Sequence, residues 1–236
     1  MARKSQLREQ RAGTIINLTS KIRETSMGQA LVIASERLRV DFGLQLRHER
    51  EWKLTDVIKR LRKHFPEVEF VCHFQTSAMR PDGGILSIEG TDDELFPILI
   101  GEHKNQGTND LRAAEGKSQQ AKGNAIERLG KNTIGFRTAL MHEGITPFVC
   151  FGDGCDFADD SYILDRVTTI AMFGALNKVR VVDEGSRGQF DRGTFFLRIE
   201  AWTPEEMAEI MYEVGKRSIH YYFSKYSEGH FRKAVI

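Results

Sequence analysis

The run Leu95-Phe96-Pro97-Ile98-Leu99-Ile100 is nearly all apolar, and it leads directly into Gly101-Glu102-His103-Lys104. An unbroken apolar run of this kind predicts a strand buried on both faces, so layers must cover it from two sides. An apolar strand does not end in Glu-His-Lys cheaply, because charge beside a core costs free energy unless it is paired. Side chains alternate along a strand, which puts Glu102 and Lys104 on one face and His103 on the other.

The rest of the chain supplies the cover. Apolar residues at helical spacing predict helices over 27–40 (Leu31, Ile33, Leu38) and 53–65 (Leu54, Val57, Ile58, Leu61), the second stopping at Phe65-Pro66. From residue 67 the period becomes two, with Val68, Phe70, Cys72 and Phe74 alternating, which predicts a strand; Ile85–Ile88 and the run from Leu95 predict two more. Residues 108–122 are polar and predict a loop or an exposed arm. A helix is expected over 124–142, a short buried strand at Pro147–Phe151 closed by a Gly152-Asp153-Gly154 turn, and a helix over Tyr162–Phe173. Val179–Val182 and Thr194–Ile199 read as strands, and Thr203-Pro204-Glu205-Glu206 is a capping box opening a helix towards His220. The fold class is therefore α/β, with helices on both sides of the sheet. With no repeat and no linker, 1–236 is expected to form one domain. It comprises a helical, basic part over 1–65 and a core over 66–236 with an arm near 105–123.

Composition narrows the function classes. The 34 Lys and Arg nearly balance 33 Asp and Glu, so a polyanionic partner must be met by a local patch. Such a patch is available, since residues 1–63 hold 15 Lys and Arg against 7 Asp and Glu. Three cysteines cannot build a disulfide framework, and together with the lack of an apolar leader or a membrane-length run they predict a cytoplasmic protein. Cys150 and Cys155 with His142 lack the second ligand pair of a zinc site.

The chemistry concentrates between Pro81-Asp82-Gly83-Gly84 and Glu102-His103-Lys104. An antiparallel pairing of their two strands brings Asp82 beside Glu102 and Lys104, joining two carboxylates and one ammonium. Such a set suits Mg²⁺, which keeps several waters and completes its shell from a phosphate. Phosphodiester hydrolysis follows, with the lysine orienting a water or stabilising the transition state; as a general base it would first have to overcome the carboxylates that favour its charged form. The alternative is a turn aspartate next to an ordinary cross-strand ion pair. A second segment, Gly123-Asn124-Ala125-Ile126-Glu127-Arg128, opens a helix with side chains able to read base edges in a major groove.

Together these segments resemble the EcoRI-like type II restriction endonucleases, within the broader PD-(D/E)xK nuclease fold. The resemblance covers Pro81–Ile85, Glu102–Gly107 and, most specifically, Gly123–Arg128 followed by Lys131-Asn132, and weakens across the rest of 65–225. It implies a central mixed five-stranded sheet flanked by helices, and a homodimer that cuts a palindrome in double-stranded DNA with Mg²⁺, leaving 5′-phosphate ends. Asp82 and Glu102 would be metal ligands with the main-chain carbonyl of His103, and Lys104 the catalytic lysine. Asn124, Ala125, Glu127 and Arg128 would read a central AATT. Side-chain geometry alone would send an arginine first to guanine, whereas the resemblance sends Arg128 to adenine. Lys122 would bear on the outer base pair, and Arg166 and Lys117 would be weaker DNA contacts. A DNA methyltransferase acting on the same site is the implied cellular partner. Two features depart from the pattern: the chain is short between Phe157 and Tyr162, and Thr169 stands where the family's namesake has an arginine. The rival readings are a structure-directed repair nuclease of the same superfamily and a DNA-binding protein that never cuts.

Overall fold

The computed structural model describes residues 15–105, 109–118, 124–158, 161–173, 176–182 and 192–235. Helix α1 spans Ile15–Phe42, strand β1 Leu46–Glu49, β2 Trp52–Lys53 and α2 Leu54–His64. Next come β3 (Ala78–Met79), β4 (Gly84–Glu89), β5 (Leu95–Asn105), α3 (Asn109–Ala114) and α4 (Asn124–Ala139). Strand β6 (Phe148–Asp153), α5 (Tyr162–Ile170), β7 (Thr194–Arg198) and α6 (Pro204–Tyr226) complete the order.

Five strands form one mixed sheet in the order β1-β4-β5-β6-β7, while β2 and β3 make a separate two-stranded ribbon. The pairs β1/β4 and β4/β5 are antiparallel, and β5/β6 and β6/β7 are parallel. Central β5 is buried without a break from Phe96 to Glu102, as its apolar run requires. On one face α1 and α6 pack through Met27, Leu31, Leu38, Met211 and Val214 onto Leu86, Ile98 and Phe151. On the other, α2, α4 and α5 pack through Leu61, Leu129, Phe136 and Val167 onto Ile85, Ile100, Phe148 and Phe195. Helix α6 starts where its capping box sets it: Thr203 Oγ accepts from the Glu206 N–H, and the Glu206 side chain accepts from Thr203 N–H.

Several sequence expectations are corrected. Residues 67–74 are not a strand; Val68, Val71 and Phe74 are exposed, because the edge of β4 that such a strand could have joined is taken by β1. Strands β1 and β2 themselves lie inside the stretch read as helical. Gly152 and Asp153 belong to β6 and not to a turn, and Val182 makes only an isolated bridge to Ile145. Helix α5 ends at Ile170, with Met172 and Phe173 in left-handed backbone. The polar arm is partly helical, and its α3 lies against α1. Among the described residues, no helix is long and apolar enough to cross a membrane.

Candidate active site

The antiparallel register pairs Gly84 with Gly101 and Ile85 with Ile100, which sets the turn before β4 against the segment where β5 becomes charged. Gly83 N–H donates to Gly101 O at 2.8 Å, and His48 Nε2 donates to Gly83 O at 3.1 Å. Gly84 is required here. Its φ is +74°, and a Cβ would lie 2.7 Å from the Glu49 carbonyl oxygen.

This turn carries Asp82 into contact with the other two candidates. Asp82 N–H donates to Glu102 Oε2 at 3.1 Å, while Asp82 Oδ2 accepts from Lys104 Nζ at 2.8 Å and from His103 N–H at 3.3 Å. Lys104 Nζ also forms an ion pair with Glu102 Oε1. The site grades from dry to wet, since the Glu102 side chain is 0% exposed, Lys104 16% and Asp82 39%. Burial pushes the Glu102 carboxyl above its ordinary range, with Asp82 adding to the rise and Lys104 opposing it. Burial alone would lower Lys104, but the charges of Glu102 and Asp82 outweigh it and shift the group upward. Lys104 is therefore a firmly protonated ammonium that donates hydrogen bonds.

His103 points to the opposite face, as strand alternation requires, and its Nε2 lies 2.7 Å from Asp153 Oδ2. The sequence did not mark Asp153 as part of the site, and it gave Asn132 only as the tail of the resembling segment, with no role. Asn132, on α4, donates from Nδ2 to Glu102 Oε1 at 3.0 Å. Its signals were the resemblance that includes Lys131-Asn132 and its place two turns beyond Asn124, whereas Asp153 was hidden in an apparent turn.

Helix α4 thus connects the site to the candidate base readers. Ile126 and Leu129 are buried in the core, leaving Glu127 and Arg128 exposed beside them. Asn124 and Ala125 occupy the first turn of the helix, and Lys122 lies outside the described residues. Arg166, on α5, sits over the Tyr162 ring at 5.1 Å and shares a cleft of about 400 Å³ with Glu127, Gly130 and Thr169. Lys117, just after α3, pairs with Glu115 at 2.7 Å. Of the candidates, Asp82, Glu102 and Lys104 converge directly, and α4 reaches them through Asn132.

Residues 9–163 match the family described as Restriction endonuclease EcoRI. The chain belongs to the EcoRI restriction endonuclease family. It is 29% identical over 232 residues to the type II restriction enzyme RsrI of Cereibacter sphaeroides, covering 84% of this chain and 82% of the relative. It is 25% identical over 156 residues to the type II restriction enzyme EcoRI of Escherichia coli, covering 62% of this chain and 56% of that enzyme. As a family member it is a hydrolase that cleaves DNA at specific sites, and the mixed five-stranded sheet flanked by helices is the fold expected of it.

Restriction endonucleases generally use a divalent metal, and the donor chemistry here fits one. Among the described residues no three His, Cys, Asp or Glu side chains gather into a metal cage. Asp82 and Glu102 instead offer two hard carboxylates, Asp82 partly open to solvent and Glu102 buried behind it, the partial shell that Mg²⁺ completes with waters and phosphate oxygens.

Proposed function

We propose that this restriction endonuclease acts as a homodimer on a palindrome with AATT at its centre and hydrolyses both strands with Mg²⁺, leaving 5′-phosphate ends. The observation that carries this reading is the Lys104 ammonium held between Asp82 and Glu102, with Glu102 hydrogen-bonded to the helix that begins with the Asn124–Arg128 segment.

Asp82, Glu102 and the main-chain carbonyl of His103 would hold the ion. Once bound, it would neutralise charge developing on the scissile phosphate and activate a water. Paired with two carboxylates, Lys104 is an ammonium, and in that form its part would be to orient the attacking water or to stabilise the negative phosphate oxygens. Buried Glu102 gains from a cation, which would offset the cost of its desolvated charge. Asn132 donates to the same Glu102 oxygen that faces Lys104, and the two donors together fix the direction of the carboxylate.

Asn124, Ala125, Glu127 and Arg128 would read the adenines and thymines of the centre from the N-terminal turn of α4, where partial positive charge also favours nearby phosphates. Lys122 would bear on the outer pair, while Arg166 and Lys117 would make weaker DNA contacts. A palindrome calls for a two-fold symmetric reader, hence the dimer. In the cytoplasm such an enzyme requires a companion methyltransferase that protects the same site.

The test is to incubate the purified protein with a long natural DNA, with and without Mg²⁺, and to sequence every fragment end. Discrete Mg²⁺-dependent ends sharing one palindrome around AATT are expected, and they would also supply the outer bases. Scattered ends would overturn the site assignment, and absence of cutting would favour the non-cleaving reading.

A further inference from the structure

Strand β5 runs past its antiparallel neighbour just where the chemistry lies. Its described pairing with β4 ends at Gly101, whereas its pairing with β6 continues through Glu102, His103, Lys104 and Asn105. The segment carrying the site is thus held in the sheet by β6, which raises the question of what fixes its pleat there.

The geometry points to Asp153 as a positioning residue that clamps the back of this overhang; the inference rests on reading Asp82, Glu102 and Lys104 as the cleavage centre. Asp153 pairs with Asn105 in the parallel register, and its side chain is 1% exposed. Its Oδ2 lies 2.7 Å from His103 Nε2, and its Oδ1 accepts from Asn105 Nδ2 at 2.7 Å; the same amide donates to the Asp153 carbonyl at 2.9 Å. Residues 103 and 105 flank Lys104 on the opposite face. Gripping both sets the direction of the Lys104 side chain and of the His103 carbonyl.

The clamp is itself anchored. Trp202 Nε1 donates to Gly152 O at 2.9 Å, and the indole packs edge-on against Phe151 at 5.3 Å. A connected path therefore runs from Trp202 through β6 and Asp153 to the back of the site. Burying a carboxylate at this depth costs free energy that an apolar side chain would not. Orientation of reacting groups supplies a reason for bearing that cost, because placement errors near 1 Å are enough to slow a reaction substantially.

The experiment compares the full-length parent with Asp153→Ala, Asp153→Asn and Lys104→Ala on a duplex carrying the site mapped from the parent's fragment ends. Cleavage is followed in Mg²⁺, and binding of the uncleaved duplex is measured in EDTA and in Ca²⁺. Asp153→Ala is expected to lower kcat about 10–100-fold with KM unchanged. It should keep its affinity in EDTA while losing most of the added affinity that Ca²⁺ gives the parent. Asp153→Asn, which keeps the shape and one acceptor oxygen, is expected to recover most of both. If Asp153→Ala cannot be obtained folded, Asn105→Leu carries the same test with a smaller loss. Parental kcat in the alanine variant (or in Asn105→Leu as its substitute) would overturn the proposal. So would equal losses of melting temperature, EDTA-state binding and kcat in both Asp153 variants. A Lys104→Ala enzyme that cuts like the parent would instead remove the reading of the centre, and the proposal with it.

Discussion

Asp82, Glu102 and Lys104 are each held by more than one contact, so single substitutions should separate chemistry from binding. Replacing Lys104 by Ala removes the ammonium between Asp82 and Glu102. Cleavage should fall by at least about 10²-fold, while specific binding in Ca²⁺ persists; gel shift and single-turnover cleavage on one duplex check both halves. Substituting Asn132 by Ala removes one hydrogen bond to a buried carboxylate, a contact typically worth about 1.5–3 kcal/mol. Slower cleavage with unaltered sequence preference is expected, and altered preference would show that Asn132 contacts a base. At Asn124, Ala should cost about 1–3 kcal/mol of discrimination at a single adenine position. Competition binding against duplexes substituted one base pair at a time measures it, and a uniform loss across sequences would mark a backbone contact. Gly84→Ala addresses the turn that delivers Asp82. A left-handed φ and a carbonyl 2.7 Å from the new Cβ should lower stability by about 2 kcal/mol, readable by urea denaturation.

Among the elements, α4 does the most to join parts of the molecule. Its first turn carries candidate readers, its middle reaches Glu102 through Asn132, and its buried face packs Leu129 and Phe136 into the core. Just beyond its C-terminus His142 stacks on His64, from the last turn of α2, with ring centroids 4.1 Å apart. Burial lowers the His142 imidazole from 6.5 to about 4; nearby Glu143 opposes the shift, while His64, Lys225 and Arg60 add to it. Folding thus favours the neutral ring. The stability this contributes is complete above pH 6.5 and is lost as pH falls towards about 4, because the unfolded chain takes up the proton first. Melting temperatures measured across that window should decline less steeply in His142→Asn than in the parent. Equal slopes would show that other groups carry the acid sensitivity.

At the scale of the whole molecule, a chain of net charge +1 must bind DNA through a local surface, and the palindromic target proposed above would demand two copies of it. Sedimentation should therefore report about twice the 26.9 kDa chain mass, and specific affinity should fall steeply with salt as phosphate contacts release counterions. A monomer at cleaving concentrations would contradict the dimer. The sequence by itself determined the two-sided burial of β5, the start of α6 at Thr203 and the shared face of Glu102 and Lys104, because strand alternation and helix capping act between residues close along the chain. It also carried the family, through Pro81–Ile85, Glu102–Gly107 and Gly123–Arg128. What it could not determine were relations between distant segments. The alternating run 67–74 carries the local pattern of a strand yet lies outside the sheet, since β1 occupies the available edge of β4. Asp153 looked like one residue of a Gly-Asp-Gly turn until parallel pairing set it against Asn105, and Asn132 belonged to the resembling segment but had no role until α4 packed over Glu102. These contacts span 30 residues or more, and only packing of the whole chain brings such partners within hydrogen-bond distance.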